Sequence, residues 1–173
     1  MENYKIDTAH SEILFKVKHL MITNVTGQFK DFDATLTSSK EDLSDAQVTF
    51  TANVDSIDTS NEQRDAHLKA TDFFDVEKFP NLKFVSTSVE TNGDELVLKG
   101  DLTIRDVAKP VELKADYNGS VVDPWGQTKI GFEAEGKIKR KEFGLTWDAV
   151  TEAGNIMLSD DVKLQLNVQF VKQ

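Results

Sequence analysis

Apolar and polar residues alternate along most of this chain, and such a period-two pattern is typical of β-strands with one buried face. Residues 47–55 show it clearly, because Val48, Phe50 and Val54 fall on one face and polar residues on the other. The pattern recurs often enough to predict roughly eight or more antiparallel strands. The other alternating stretches are 12–21, 96–104, 111–121, 130–138 and 162–170, with less distinct strands at 29–36 and 82–89.

Turn signals between these stretches indicate that consecutive strands are neighbours. Asn92-Gly93 is typical of a tight type I′ hairpin, and residues 123–126 form a second turn with Trp125 at its tip. Because each strand has only one apolar face, the sheet must bury that face. Closing the sheet into a barrel buries it and removes the exposed edges, although a two-sheet sandwich satisfies the same pattern.

The segment 59–80 is the one substantial stretch that does not alternate. Thr59 and Glu62 have the spacing of a capping box, which predicts a short helix that begins near Asn61 and covers about residues 61–70. The helix is mostly polar, so tertiary contacts must hold it in place. The residues expected to supply those contacts are Phe73, Phe74 and Phe79.

Composition and charge narrow the function classes. The 173 residues contain no low-complexity tract, linker or repeat, which predicts a single domain over 1–173. The 20 basic and 30 acidic residues give a net charge of −10, which argues against nucleic acid or an anionic membrane surface as a partner. No apolar run is long enough to span a bilayer, so we expect no stable membrane insertion. The N-terminal residues lack the regions of a signal peptide, which predicts a cytoplasmic protein, or a periplasmic one if a signal has been removed.

Residues that could carry chemistry give little support for catalysis or for a metal site. The chain has no cysteine. His10 and His19 lie along one extended run, which separates them by roughly 30 Å and prevents them from sharing an ion. Neither a nucleotide-binding glycine loop nor a nucleophile elbow occurs in the sequence. We therefore expect no metal, no cofactor and no catalytic residue.

The inward faces of the predicted strands are compatible with two kinds of barrel interior. Barrels of about eight strands either fill with side chains or hold one small ligand. Small inward residues, among them Ala52 and Ala134, fit the taper of a packed barrel and the wall of a tunnel equally well. The large side chains expected to line such a tunnel are Phe15, Val17, Phe50, Leu98, Leu113, Phe132, Leu164 and Leu166.

Two polar residues interrupt the apolar inward faces. By strand parity His19 points the same way as Phe15, and Arg140 the same way as Phe132. A buried arginine needs an anion. This requirement predicts either an ion pair with a protein carboxylate, which we favour and for which Asp65 is a candidate, or contact with the head group of a ligand. For His19 we favour a structural position at the end of the barrel over ligand contact.

A charged cluster on the predicted helix has two interpretations. Arg64, Asp65, His67 and Leu68 fall within about one helical turn of each other. The cluster could fix the helix as a plug in one mouth of the barrel, or it could contact the head group of a ligand. The residues alone favour the plug. We assign Trp125 to the barrel mouth together with this cluster.

Short motifs over nearly the whole chain occur in the order and at the spacings of a known family. They are IDTAHS (6–11), FKVKH (15–19), GQF (27–29), IDT (57–59), RDAHLK (64–69), DFFD (72–75), FP (79–80) with Phe84, GDLTIRD (100–106), KPV (109–111), RKEFG (140–144) and SDDV (159–162). On these motifs the chain resembles the YceI-like, polyisoprenoid-binding, lipocalin-like proteins. It departs from the family at Ala108, Lys139, Asp148 and Asn155, where Thr, Asn, Asn and Gly are more common.

The resemblance implies an all-β fold, an extended eight-stranded antiparallel lipocalin-like barrel with the short helix packed at it. It also implies a long apolar pore for an isoprenoid chain or a similar amphiphile. Many members are exported and often form dimers, and they carry or store their ligand rather than act as enzymes. We therefore expect a bound isoprenoid or other long-chain lipid and a homodimer.

The function that follows is non-catalytic binding, storage or transport of a long-chain amphiphile: a polyisoprenoid, an isoprenoid quinone or a fatty acid or amide. Two alternatives are a small hydrolase or isomerase that uses a histidine at the barrel mouth, and an interaction module with a filled barrel. The residues predicted to bind the ligand are the large tunnel residues named above together with His19, Ala52, Ala134 and Arg140.

Overall fold

The computed structural model describes residues 1–147 and 158–173, which form a β-barrel with one α-helix. The strands are β1 (Glu2–Ile6), β2 (Glu12–His19), β3 (Thr23–Phe29), β4 (Phe32–Ser38), β5 (Gln47–Asn53), β6 (Ile57–Asp58), β7 (Asn81–Asn92), β8 (Glu95–Ile104), β9 (Val107–Val122), β10 (Thr128–Lys139) and β11 (Leu158–Lys172). The helix α1 (Glu62–Lys69) lies between β6 and β7. Two of the departures from the family pattern, Asp148 and Asn155, lie outside the described residues.

The eleven strands trace eight long antiparallel strands, because three of the long strands are interrupted. A 3-10 turn at Thr8–His10 separates β1 from β2, and another at Val54–Ser56 separates β5 from β6. β3 and β4 are also consecutive parts of one long strand, since β3 pairs with β2 and β6 while β4 pairs with β1 and β5. From β7 to β11 each strand pairs with the next, and pairing of β11 with β1 and β2 closes the sheet. The prediction of an eight-stranded antiparallel barrel is confirmed, and the alternative sandwich is wrong.

The strand register defines two ends of the barrel. At the termini end, Tyr4 of β1 pairs with Lys172 of β11, and the loop 39–46 and the β9–β10 hairpin lie at the same end. At the helix end, His19 of β2 pairs with Leu158 of β11. This end also carries α1 and the 3-10 turn Arg140–Phe143, which follows β10.

The inward faces follow from the alternation of residues along each strand. In β4, which the sequence left ambiguous, Phe32, Ala34 and Leu36 are all less than a tenth exposed, while the residues between them are exposed. Leu82 and Phe84 of β7 are buried in the same way. The apolar residues at these alternate positions therefore meet on the inner side of the closed sheet.

The helix begins near Asn61, as predicted, but with a different cap. The Asn61 side chain accepts a hydrogen bond from the Arg64 N–H (2.9 Å) and caps the first turn. The capping box at Thr59 is wrong, because Ser60 has a positive φ of 63° and turns the chain between Thr59 and the helix. Thr59 is buried instead, and its N–H and hydroxyl both donate to the Asp65 carboxylate, at 2.9 and 2.5 Å.

Side chains from the segment after α1 hold this polar helix in place, as predicted. Phe73 is buried, and the ring of Phe74 lies edge-on to that of Phe29 with 6.1 Å between their centroids. The guanidinium of Arg105 lies over the ring of Phe79, 5.5 Å from its centroid. The helix is thus fixed to the barrel largely by the chain that follows it.

Candidate functional site

An apolar cavity of about 260 Å³ occupies the barrel interior. Its wall includes Leu43 from the loop at the termini end and Leu68 and Phe73 from the helix end, so the cavity follows the long dimension of the barrel. Among the described residues that border it, Arg140 is the only one with a charged side chain. An apolar wall of this kind shields an apolar guest from water and offers few polar contacts.

Most of the predicted tunnel residues border this cavity. Strand parity correctly identified those in the long regular strands as inward residues. Their role as ligand contacts stays a prediction. The predicted residues in the wall are Phe15, Val17, Phe50, Leu98, Leu113, Phe132, Ala134, Arg140, Leu164 and Leu166, together with Leu68 of the helix.

Six of the predicted site residues do not border the cavity. Ala52 is 1% exposed but lies near the end of β5, beneath other core side chains. His19 is half-buried at the last position of β2, where the strand leaves the barrel. Trp125 is 83% exposed in the β9–β10 hairpin, at the opposite end of the barrel from the helix cluster with which it was grouped. The other three are Arg64, Asp65 and His67 of α1.

The wall also contains residues that sequence reasoning missed. Ala34, Leu36, Leu82 and Phe84 belong to the two strands whose faces were ambiguous, and their alternation was a usable signal. A second group comes from segments without regular alternation, which give no indication of an inward face. This group comprises Leu43, Ala46, Phe73, Phe74 and Leu145.

Arg140 is 3% exposed and connects two parts of the chain at the helix end. Its Nε donates to the Ser159 carbonyl (2.9 Å), and Nη1 donates to the carbonyls of Leu145 (2.7 Å) and Trp147 (2.6 Å). A longer contact of 3.4 Å joins Nη2 to the Leu158 carbonyl. The guanidinium therefore fastens the chain after β10 to the start of β11.

The predicted ion pair between Arg140 and Asp65 is wrong, since no such pair occurs among the described residues. The Asp65 carboxylate instead accepts a hydrogen bond from the Thr59 hydroxyl. The Arg64 side chain also binds Thr59: its Nε donates to the Thr59 hydroxyl (2.7 Å), and its Nη2 donates to the Thr59 carbonyl (2.6 Å). Arg64 and Asp65 thus tie the start of the helix to the chain before it. These contacts agree with the structural interpretation of the cluster.

His67 lies in an aromatic group at the helix end. Its ring is edge-on to Trp147, with 4.8 Å between centroids, and to Phe73 at 5.1 Å. Its Nε2 also lies 3.4 Å from an oxygen of Asp72. The rings of His67, Phe73 and Trp147, together with Phe74 and Phe79, lie at the helix end of the barrel.

The other two histidines lie far from this group. His10 sits in the turn between β1 and β2, where its Nδ1 is 2.8 Å from Asp7 Oδ2. The neighbouring Ser11 hydroxyl accepts a hydrogen bond from the Gln169 N–H (3.0 Å). Partial burial acts to raise the pKa of Asp7, but hydrogen bonds from His10 and Lys129 outweigh it and lower the pKa.

Two properties of the described residues concern metals and membranes. Within 1–147 and 158–173, the histidine, aspartate and glutamate side chains form no group of three or more that could hold a metal ion. In the same part of the chain, no helix has the length and apolar character needed to cross a bilayer.

Comparison with known proteins places this barrel in a family. The model of the YceI-like domain matches residues 4–170. Protein YceI of Salmonella newport is 44% identical over 172 residues, which cover 98% of this chain and 87% of that protein.

Solved structures of other proteins have the same fold. BcnA of Burkholderia cenocepacia superposes with a TM-score of 0.82 at 21% identity, over 95% of this chain and 98% of BcnA. A polyisoprenoid-binding domain from Saccharophagus degradans gives a TM-score of 0.75 at 12% identity, over 98% of each chain. The match to residues 4–170, the 44% identity and the common barrel show that the chain belongs to the YceI-like family.

Proposed function

We propose that this protein binds a long-chain amphiphile, such as a polyisoprenoid, an isoprenoid quinone or a fatty acid or amide, and stores or carries it in the barrel. The observation that carries the proposal is the apolar cavity that follows the barrel's long dimension. The polyisoprenoid-binding domain with the same fold adds support. Such a role requires no catalytic group and no cofactor.

The energetics favour a chain over a compact polar ligand. Each buried CH₂ contributes about 0.8 kcal/mol, so a long chain can be held with few polar contacts. The cavity of about 260 Å³ is slightly smaller than the roughly 300–1,000 Å³ of ordinary small-molecule sites. A chain of polyisoprenoid length therefore requires side chains in the wall to move as it enters. Selection should then depend on the length and width of the chain.

Two other functions have less support. A hydrolase or isomerase would need a histidine beside the bound chain, whereas His10, His19 and His67 all lie outside the cavity wall. An interaction module would have a filled barrel, whereas this barrel has a cavity. A cytoplasmic location and a homodimer stay predictions, to be checked by cell fractionation and by light scattering of the purified protein.

The proposal is tested by ligand recovery and by uptake. We expect native mass spectrometry and organic extraction of the purified protein to recover a long-chain lipid. After removal of lipid, the protein should take up farnesol, geranylgeraniol or palmitic acid at micromolar concentrations. Protein that is empty as purified and takes up none of these probes would overturn the proposal.

A pair of variants on one strand separates uptake into the cavity from adsorption to the surface. Ala134→Phe places a ring in the cavity and should weaken uptake at least about tenfold, because the added side chain occupies the site. Glu133→Phe adds the same ring at the neighbouring exposed position and should leave uptake within about twofold. Equal uptake by both variants would mean that the probes bind outside the barrel.

A further inference from the structure

Three glycines on the inner face of the barrel each lie against a large side chain of the cavity wall. Gly27 faces Phe15 across the β2–β3 pair, and Gly136 faces Leu113 across the β9–β10 pair. Gly100 lies against the ring of Phe84 on the neighbouring strand β7. Phe15, Phe84 and Leu113 all border the cavity.

Each of these contacts leaves no space for a methyl group. A Cβ at Gly27 would overlap Phe15 Cζ and would lie 2.8 and 2.9 Å from Cε2 and Cε1 of the same ring. At Gly136 a Cβ would lie 2.5 Å from Leu113 Cδ2. At Gly100 it would lie 2.5 Å from Phe84 Cζ and also 2.5 Å from the backbone carbonyl oxygen of Val85. Real Cβ atoms essentially never approach other atoms within 3.0 Å. The large side chains therefore occupy the volume that a side chain on the glycine would fill.

Backbone conformation does not account for these glycines. Among the glycines within 1–147 and 158–173, those with positive φ are Gly93, Gly119, Gly126 and Gly144, which lie in turns or irregular positions. Gly27, Gly100 and Gly136 have ordinary strand conformations that any residue can adopt. Each of these glycines leaves space for a large side chain of the cavity wall.

Two of the pairs belong to one row of cross-strand partners. Gly27 pairs with Phe15, Phe15 with Leu164, and Leu164 with Gly136. Gly136 in turn pairs with Leu113, and Leu113 with Leu98. Each glycine in this row is therefore followed by two large residues, and it accommodates a neighbour that would otherwise project further into the barrel.

We propose that Gly27 and Gly136 determine ligand specificity by setting the width of the cavity. Each glycine lets the neighbouring ring or isobutyl group lie flat against the sheet, and a methyl group in its place tilts that side chain into the cavity. The narrowed cavity still admits the first carbons of a chain but stops a long one. This inference rests on the proposed function, because it names the residues that decide which chains fit.

The test compares Gly27→Ala and Gly136→Ala with Gly131→Ala. Gly131 is on the same strand as Gly136, and the nearest atoms to a Cβ there are at 3.9 and 4.0 Å, so it is a matched control. Binding of farnesol, geranylgeraniol and a nine-unit prenol is measured by displacement of cis-parinaric acid. We expect the two test variants to bind the nine-unit prenol at least about tenfold more weakly and farnesol within about twofold. Gly131→Ala should match the wild type for all three.

A second comparison, made in protein that carries Phe15→Leu, keeps the binding result interpretable if Gly27→Ala lowers stability. Phe15→Leu removes the ring that the new methyl would meet, so adding Gly27→Ala to Phe15→Leu should leave binding of the nine-unit prenol unchanged. A crystal structure of Gly27→Ala supplies a readout that needs no ligand, since the Phe15 ring should be displaced toward the cavity.

The outcomes distinguish this inference from the proposed function. If Phe15 keeps its place, or if both test variants bind every prenol as the wild type does, the glycines do not set the width and the inference is wrong. In that case binding by the wild type still supports the proposed function. If the wild type binds no prenol and no fatty acid, the proposed function fails.

Discussion

The two ends of the barrel are closed by different kinds of contact. At the termini end, the loop 39–46 closes on itself: Leu43 turns inward, and the Asp45 carboxylate accepts hydrogen bonds from Ser38 and Ser39. At the helix end, the cover is assembled from separate parts of the chain, and Arg140 connects two of them. Closure of the termini end therefore depends on local contacts, whereas closure of the helix end depends on a few side chains that join distant segments.

The largest expected effect is at Arg140. Replacing it with methionine removes the donors for the carbonyls of Leu145, Trp147 and Ser159 in a buried setting. We expect the free energy of unfolding to fall by about 3 to 5 kcal/mol, as when one partner of a buried polar network is lost. Urea denaturation followed by circular dichroism measures the change.

Arg105 provides the control at the same end. It is only half-buried, and one hydrogen bond joins its Nη1 to the Gly144 carbonyl (2.6 Å). Arg105→Met should therefore cost about 1 to 2 kcal/mol. Equal losses at the two arginines would contradict the view that Arg140 holds the helix end together.

At the termini end the largest effect is expected at Leu43. This side chain is 4% exposed and borders the cavity. Leu43→Ala should lower the free energy of unfolding by about 2 kcal/mol, the low end for a buried leucine, because its neighbours already face a void. Thermal and urea denaturation check the value.

The backbone at Leu43 offers a sharper comparison. Its φ is +61°, a left-handed conformation that favours glycine. Leu43→Gly should therefore be at least as stable as Leu43→Ala, although glycine is normally the less stable of the two. A clearly less stable glycine variant would show that the loop can relax away from this conformation.

The smallest expected effect concerns the acid dependence of the termini end. Hydrogen bonds from the hydroxyls of Ser38 and Ser39 and from the Ser39 N–H lower the pKa of Asp45 below its usual value, against a smaller opposing effect of burial. A carboxyl with a lowered pKa in the folded state stabilises that state above its unfolded pKa of about 3.9, and the contribution is lost as the pH falls toward the folded value.

Asp45→Asn should accordingly destabilise the protein at neutral pH and make less difference as the pH is lowered toward 3. The measurement is urea denaturation of wild type and variant between pH 7 and pH 3, with the exposed Glu41→Gln as the control. A stability difference that stays constant over this range would mean that the carboxylate charge contributes nothing to the closure of this end.

Alternation of residues predicted the barrel and most of its cavity wall, because a side chain in a regular strand points inward at every second position. It placed Phe50, Leu98 and Leu164 correctly. It failed for Leu43 and Phe73, since an irregular segment has no repeating face.

The hydrogen-bond partners of the polar side chains were harder to predict than the positions of those side chains. Parity placed Arg140 inside the barrel, but the partners it has among the described residues include backbone carbonyls, which every residue carries and no sequence pattern marks. The cap of α1 is Asn61 and not the predicted Thr59 for a related reason. The positive φ at Ser60 turns the chain, so that the side chain of Asn61 bonds to the first turn. Local signals thus identified the helix but not the contacts that start it.

Closure of the sheet by β1 and β11 has a consequence for folding. Tyr4 pairs with Lys172, so the seam of the barrel joins residues from opposite ends of the chain. Contacts of such high sequence separation make folding slow. During synthesis β11 is the last of these strands to emerge, and until it does, the edges of β1, β2 and β10 stay open and the apolar interior is exposed. An incomplete barrel of this kind is prone to aggregation, so its safe assembly depends on its final fifteen-residue strand.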